Sequence, residues 1–228
     1  MRWDKHQEPG RKGHVMSVGT SSGGGDYDLS DPVNSFAEVV RRVLARPSTF
    51  FAQLPRRGNL AGPLIFALIC IEISAILGAV LGEILMLARG GIHSTGFNPN
   101  PQNLWFPSIL VPDADLVSII IAPIVGTIGV AVAAGIQQLL VRLVVGERNS
   151  GFGATFRVAS YTQVTGLINW IPIVGPLLAL YGIYLSIVGI REMHQTTTAK
   201  ATLVILIPFG VALLLALVAL AVLFGAAL

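Results

Sequence analysis

The sequence predicts an all-α integral membrane protein with five transmembrane helices, preceded by an amphipathic helix at the membrane interface. Hydrophobic residues make up 53% of the 228 residues, charged residues make up only 12%, and the mean hydropathy is +0.72. Nearly all of the apolar residues follow residue 59. Lysine and arginine lie at the ends of the apolar segments, as expected of helices that are anchored in a lipid bilayer.

The composition also excludes several classes of protein. The formal net charge is +3 and the pI is near 9.4, but the basic residues are scattered at segment ends, so no nucleic-acid partner is expected. Cys70 is the only cysteine, which leaves no internal disulfide or thiolate cluster. The sequence has no HExxH, GxSxG or P-loop motif. The dispersed histidines are His6, His14, His93 and His194. We expect no catalytic site, no metal and no cofactor.

Residues 1–30 are polar and irregular, and Gly23, Gly24 and Gly25 lie among serines and acidic residues. Such a stretch buries too little apolar surface to offset the entropy lost on ordering, so we expect a disordered tail. It lacks the apolar core of a cleavable signal peptide. The first span is therefore expected to direct membrane insertion.

Residues 31–58 are predicted to form short cytoplasmic helices at the membrane interface. Asp31 can cap a helix whose first residue is Pro32. The apolar residues that recur on one side are Val33, Phe36, Val40 and Leu44. The arginines expected to meet headgroups and fix the topology are Arg41, Arg42, Arg46, Arg56 and Arg57. The alternative is a helix that docks on a partner protein.

Residues 59–228 are predicted to form the membrane domain. The apolar run from Ala154 to Ile190 covers 37 residues. One helix of that length would extend about 55 Å, whereas about 30 Å crosses the hydrocarbon. The run must fold back, and Pro172, Gly175 and Pro176 supply the break. The five predicted spans are Leu60–Leu87, Leu116–Val145, Ala154–Ile171, Leu177–Ile190 and Ala201–Phe224.

Counts of lysine and arginine predict the orientation, because positive residues are retained on the cytoplasmic side. Arg142, Arg148 and Arg157 flank the connection between the second and third spans, and Arg191 and Lys200 flank that between the fourth and fifth. The N-terminus is expected inside and the C-terminus outside. Arginine outnumbers lysine by twelve to three, which is typical of a GC-rich genome. We expect a prokaryotic cytoplasmic membrane, with the endoplasmic reticulum or Golgi as the alternative.

Polar residues inside the predicted spans define a candidate site, since an ionisable group in hydrocarbon costs about 3 kcal/mol. Glu83 follows Glu72 by eleven residues, which places both on one face of the first span. The third span carries three polar residues at helical spacing. The polar seam comprises Glu72, Gln137, Gln138, Tyr161, Thr162, Thr165 and Asn169. It either binds or conducts a small solute or proton, with Glu72 titrating, or holds the helices together by hydrogen bonds.

Two stretches of the chain carry a resemblance to a known family. They are Arg46–Leu68 (RPSTFFAQLPRRGNLAGPLIFAL) and Arg157–Ala201 (RVASYTQVTGLINWIPIVGPLLALYGIYLSIVGIREMHQTTTAKA). In these stretches the chain resembles the Yip family of membrane proteins. In that family a phenylalanine-containing segment after a proline leads into the first of five spans. An aromatic-polar third span is followed by a proline-containing turn and a charged, histidine-bearing cytoplasmic loop.

The resemblance implies a function, with one departure from the family pattern. Eukaryotic members, which bind prenylated Rab GTPases in vesicle traffic, carry the signature Asp-Leu-Tyr-Gly-Pro near the second span. This chain has Asp115, Leu116 and Val117 there, followed by Ala122 and Pro123, and so is more similar to prokaryotic members.

We therefore expect a non-enzymatic scaffold or adaptor linked to membrane organisation or trafficking. It would act through the N-terminal helix and the 191–200 loop. Its expected partners are the lipid bilayer and other membrane or cytoplasmic proteins. The alternative is a small transporter or channel that uses the polar seam.

Overall fold

The computed structural model describes residues 25–88 and 116–225, and all regular secondary structure in these ranges is helical. Most of the predicted tail and of the loop after the first span lies outside the described residues. The α-helices are α1 (Pro32–Ala45), α2 (Pro47–Gln53), α3 (Ala61–Ala88), α4 (Leu116–Val144), α5 (Phe152–Tyr161), α6 (Gly166–Asn169), α7 (Val174–His194) and α8 (Thr198–Gly225). A 3₁₀ turn over Thr162–Thr165 joins α5 to α6.

Four of these helices are long and apolar enough to cross a membrane, which confirms four of the predicted spans at the level of helix length and composition. The qualifying stretches, within the described part of the chain, are Ala61–Gly82, Ile119–Val144, Val174–His194 and Thr198–Leu215. Their outward side chains are apolar, as a lipid-facing surface requires. Ile120 and Leu143 on α4, for example, are 71% and 73% exposed.

The third predicted span differs from the expected continuous helix. It is divided into α5, the 3₁₀ turn and α6, of ten, four and four residues. This segment packs against α3, α4 and α7. Every residue from Ala154 to Tyr161 is buried, so α5 lies at the centre of the bundle.

The predicted break falls a few residues earlier than expected. The chain turns over residues 170–173, and Gly175 and Pro176 already belong to the first turn of α7. Proline is tolerated there because the first-turn amides of a helix have no intrahelical acceptor. As a result α7 has 21 residues, which is longer than the predicted Leu177–Ile190.

The N-terminal helices pack on the protein itself. Helix α1 begins at Pro32 as predicted, but the Asp31 side chain makes no capping bond and instead accepts hydrogen bonds from the Asn34 amide, at 3.0 and 3.1 Å. On the inner side of α1, Val39 and Val43 are buried in the main core. The apolar side of α1 is thus covered by other helices except at Val33, which is 78% exposed, and the place of α1 at a membrane interface stays a prediction.

One end of the bundle gathers the basic residues. Helices α3, α5 and α8 begin at this end, and α4 and α7 end there. We call it the basic end; it carries Arg56, Arg57, Arg142, Arg148, Arg157, Arg191 and Lys200. Aromatic rings pack beneath it, with the Tyr161 centroid 5.0 Å from that of Phe50 and 5.1 Å from that of Phe66.

Candidate functional site

A buried ion pair joins the N-terminal residues to the central helix α5. The side chain of Arg157 is 1% exposed, and its Nη2 donates to Asp26 Oδ2 at 2.9 Å and to the Asn59 carbonyl at 2.8 Å. One turn later, the Tyr161 hydroxyl donates to Asp26 Oδ1 and accepts from the Tyr27 amide at 2.9 Å. Residues four apart share a helix face, so α5 presents both partners to Asp26.

Residues 25–30, which we call the N-terminal strap, cross over the start of α3. The crossing needs a glycine at position 62, since a Cβ there would lie only 2.8 Å from the Tyr27 carbonyl oxygen. The Tyr27 ring packs edge-on against Phe66, with centroids 5.9 Å apart, and its hydroxyl donates to the Pro32 carbonyl at 3.2 Å. Burial, with a smaller effect of the nearby Cys70, raises the pKa of the Tyr27 phenol, which therefore stays neutral.

A pocket of about 320 Å³ lies between the strap and the bundle. We call it the strap pocket; its lining includes Asp26, Asp28, Leu29, Arg57, Asn59 and Arg157. Arg157 is buried at its wall, whereas Arg57 is exposed. Within the described part of the chain, Nε and Nη1 of Arg157 have no hydrogen-bond acceptor. Buried guanidinium donors almost always have acceptors, so these two groups need an explanation.

A second polar network ties together the two connections at the basic end. The Ser150 amide donates to His194 Nδ1 at 3.1 Å, and the Ser150 hydroxyl donates to the Met193 carbonyl at 2.6 Å. His194 Nε2 lies 3.0 Å from Thr155 Oγ1, which in turn donates to the side-chain oxygen Oε1 of Gln138. His194, Thr155 and Gln138 are all buried, so the network fixes how α4, α5 and α7 meet.

The predicted interface arginines do not behave alike. Arg42 lies over the Phe50 ring at 5.6 Å and donates to the Gln53 amide oxygen at 2.7 Å, so it holds α1 on α2. With the Gln195 amide turned so that its oxygen faces Arg56, the Arg56 guanidinium donates to it. Arg41, Arg46 and Arg57 are exposed on the surface.

The residues of the polar seam are distributed over separate environments. Gln138 belongs to the His194 network and Tyr161 to the Asp26 pair. The Thr162 hydroxyl donates to the Val158 and Ala159 carbonyls, at 2.9 and 3.1 Å. The Thr165 hydroxyl donates to the Thr162 carbonyl at 3.0 Å. Both hydroxyls thus bond backbone groups around the 3₁₀ turn.

Three members of the polar seam remain apart from these contacts. Glu72 Oε2 and Gln137 Oε1 are buried without a hydrogen-bond partner among the residues that the structure describes. The side chains of Asn169 and of Glu83, the predicted companion of Glu72, lie outside the described part. No hydrogen bond in the described ranges joins Glu72 to the rest of the seam, so its role stays a prediction.

Several residues of the two polar networks carry little signal in the sequence. Asp26 lies within residues 1–30, which were predicted to be a disordered tail. Thr155 belongs to no recognised sequence motif. Arg157 was interpreted only as a topology signal, and His194 as a loop residue. One signal was available, because an arginine and a tyrosine four residues apart in an otherwise apolar run require a polar partner.

The described residues contain no group of three or more His, Cys, Asp or Glu side chains that could hold a metal ion. Both networks are made of neutral donors and acceptors or of a closed ion pair. Such an arrangement can position helices and recognise polar ligands.

The apolar helices and the buried polar contacts at one end define a multi-pass integral membrane protein. A family model, the Yip1 domain, matches residues 41–220. The chain therefore belongs to the Yip1 domain family, which is not a known enzyme family. We find no significant match among curated proteins or among solved structures.

Proposed function

We propose that the protein is a non-enzymatic scaffold or adaptor that presents a composite surface at the cytoplasmic end of the membrane bundle. The surface combines the N-terminal helices with the connection between α7 and α8. Membership of the family, together with this surface, supports a role in membrane organisation or trafficking. The lipid partner that we propose is the bilayer of a prokaryotic cytoplasmic membrane.

The observation that carries the proposal is the contact between these two elements. Arg191 Nη2 lies 3.3 Å from Ser48 Oγ, and the Arg56 guanidinium meets the Gln195 amide. The Tyr181 hydroxyl donates to the Leu44 carbonyl at 2.6 Å. Helices α1 and α2 are thus held against α7, and the contacts of Ser48 and Arg56 bring the N-terminal segment beside the connection that follows α7.

Several groups of α1 are exposed and available for a partner. Val33, in the first turn, is 78% exposed, and Glu38 and Arg41 further along the helix are exposed as well. Exposed apolar and charged groups on one helix are typical of recognition surfaces. Val39 and Val43 of the same helix are buried, so a partner that binds here meets a preformed helix.

The proposed topology has five crossings. The divided third segment of ten, four and four residues extends about 29 Å, close to the thickness of the hydrocarbon core. With it the chain crosses an odd number of times, which places the N-terminus inside and the C-terminus outside. The arginine-rich basic end then faces the cytoplasm.

The test is purification of the tagged protein from its native membranes in a mild detergent, comparing Arg41→Glu with Arg148→Glu. Both replace an exposed arginine, but only Arg41 lies on α1. We expect a co-purifying protein that Arg41→Glu loses and Arg148→Glu retains. Equal retention by both variants would contradict the adaptor role.

The transporter alternative has its own measurement. Glu72→Gln removes the carboxyl group of the polar seam, which lies on α3. Loss of a proton-coupled flux in reconstituted vesicles, with the variant folded normally, would favour transport. If vesicles with and without the protein show the same flux, the result contradicts transport and favours the adaptor function.

A further inference from the structure

Glu72 lies near the middle of the first membrane span. It follows Ala61 by eleven residues, in a span of 22 residues that ends at Gly82. At about 1.5 Å per residue this distance is about 16 Å along the helix, whereas the hydrocarbon core is about 30 Å thick. Neither lipid headgroups nor bulk water lie at that depth, so the carboxyl group needs a polar partner inside the membrane.

The side of α3 that carries Glu72 is turned away from the bundle. Ile65 lies seven residues before Glu72 and Ile76 lies four residues after it, so all three share one helix face. Ile65 and Ile76 are exposed. The side of α3 that packs in the core carries Phe66 and Cys70 instead, and both are buried. Glu72 therefore borders the lipid and not the centre of the bundle.

The carboxyl group of Glu72 is not satisfied within the part of the chain that the structure describes. Its Oε2 is buried there without a hydrogen-bond partner. The side chain as a whole is only half-buried, so rotation of the carboxyl group can turn its oxygens toward a neighbouring helix. A polar group without a partner is costly in hydrocarbon, so this face favours a protein neighbour over lipid.

Small residues beside Glu72 allow another helix to come close. Ala75, Ala79 and Gly82 follow Glu72 by three, seven and ten residues, on the same side of α3. A Cβ added at Gly82 would meet nothing within 4 Å, so the space beside it is open. Interfaces between transmembrane helices are rich in small residues, and polar side chains form hydrogen bonds across them. This face of α3 has both features.

The depth of Glu72 favours a second copy of the chain as the neighbour. Copies with the same membrane topology are related by a two-fold axis along the membrane normal, so each residue lies at the same depth in both copies. In such an interface Glu72 of one copy meets Glu72 of the other. A protonated carboxyl group is self-complementary, because it offers one O–H donor and acceptor oxygens. A partner of another sequence would need a polar group of its own at this depth.

We propose that the protein forms a homodimer through this face of α3, in which the two Glu72 carboxyl groups are hydrogen-bonded to each other in the middle of the membrane. Ala75, Ala79 and Gly82 form the close contact beside the pair. At least one of the two groups holds a proton, since two carboxylates side by side repel each other. The homodimer does not depend on the adaptor role, so either can fail without the other.

The test counts the subunits of the full-length protein in liposomes. Each chain carries one fluorophore at its N-terminus, and photobleaching steps are counted over a range of protein-to-lipid ratios. We expect two-step spots to predominate as the ratio rises. Glu72→Leu is expected to raise the ratio at half-dimerisation about tenfold, equal to ~1.4 kcal/mol. Glu72→Gln is expected to stay close to the parent, because an amide also has donors and an acceptor.

Two further variants locate the interface. Ala79→Leu places a large side chain on the proposed contact face and is expected to weaken the dimer about tenfold. Ala131→Leu is the matched control, because Ala131 is an exposed alanine on α4, outside that face. It is expected to dimerise like the parent. Circular dichroism and a monodisperse elution profile in detergent show that each variant is folded.

Three outcomes would overturn the proposal. Single steps from the parent at every ratio would leave this face to a membrane protein of another sequence. Equal dimerisation of Glu72→Leu and Ala131→Leu would show that the carboxyl group takes no part in the interface. Dissociation of Glu72→Gln to the same extent as Glu72→Leu would contradict the hydrogen-bonded pair.

Discussion

His194 accepts a hydrogen bond from the Ser150 amide through Nδ1, at 3.1 Å, across two connections that lie 44 residues apart in the chain. Since Nδ1 must accept, the neutral ring carries its proton on Nε2, which lies 3.0 Å from Thr155 Oγ1. Thr155 can then donate to Gln138. The tautomer of one histidine thus sets the direction of the whole network.

Replacement of His194 by alanine is expected to destabilise the fold. The substitution leaves the Ser150 amide without its acceptor and opens a cavity at a side chain that is 2% exposed. We expect a loss on the order of 2 kcal/mol in the free energy of unfolding. Thermal unfolding of the purified protein in detergent measures it. Glu147→Ala, an exposed change in the same connection, is the control, and an equal midpoint for both variants would contradict the role of His194.

Because Asp26 and Arg157 form an ion pair, we expect their substitutions to have non-additive effects on the free energy of unfolding. Asp26→Ala leaves the buried Arg157 guanidinium without its carboxylate, which is expected to cost about 3–5 kcal/mol. The double variant Asp26→Ala/Arg157→Met removes both charges and is expected to recover much of that loss. Denaturant unfolding of the parent, both single variants and the double variant completes the cycle. If the two single losses simply add, the pair does not stabilise the strap.

Gly62 allows the N-terminal strap to pack closely on α3, so a substitution at this position tests that packing. An alanine Cβ at this position would lie 2.8 Å from the Tyr27 carbonyl, so Gly62→Ala must displace the strap from α3. Faster hydrogen exchange at the Tyr27 amide is the expected result, since that amide donates to Tyr161. Gly82→Ala on the same helix meets nothing within 4 Å and serves as control. Unchanged exchange in Gly62→Ala would show that the strap is not packed there.

The extent to which sequence predicts this fold differs between its parts. Helices α3, α4 and α8 begin and end within three residues of the predicted bounds, because hydropathy over more than 20 residues leaves only one assignment. The third segment was predicted as one span over Ala154–Ile171, and its division into two helices and a 3₁₀ turn was not predicted. Its interruption at Thr162–Thr165 depends on hydroxyl groups that bond nearby carbonyls, a local effect without a hydropathy signal.

The candidate site was harder to predict for a physical reason. Asp26 and Arg157 lie 131 residues apart, so their pairing depends on how the strap crosses α3 and not on any spacing in the chain. His194 and Thr155 meet in the same long-range way. Glu72 and Gln137 each have a buried oxygen without a partner among the described residues, and their role in the polar seam stays a prediction.

The divided third segment predicts the sidedness of the turn that follows it. Ile173 is 83% exposed, and Glu147 is exposed in the connection that precedes α5. If α5, the 3₁₀ turn and α6 together cross the bilayer, these positions lie on opposite sides. We expect a membrane-impermeant maleimide to label Ile173→Cys in intact cells, in a Cys70→Ala background, and to label Glu147→Cys only after the cells are lysed. Labelling of both positions before lysis, or of neither, would mean that this segment does not cross, and the C-terminus would then lie on the same side as the N-terminus.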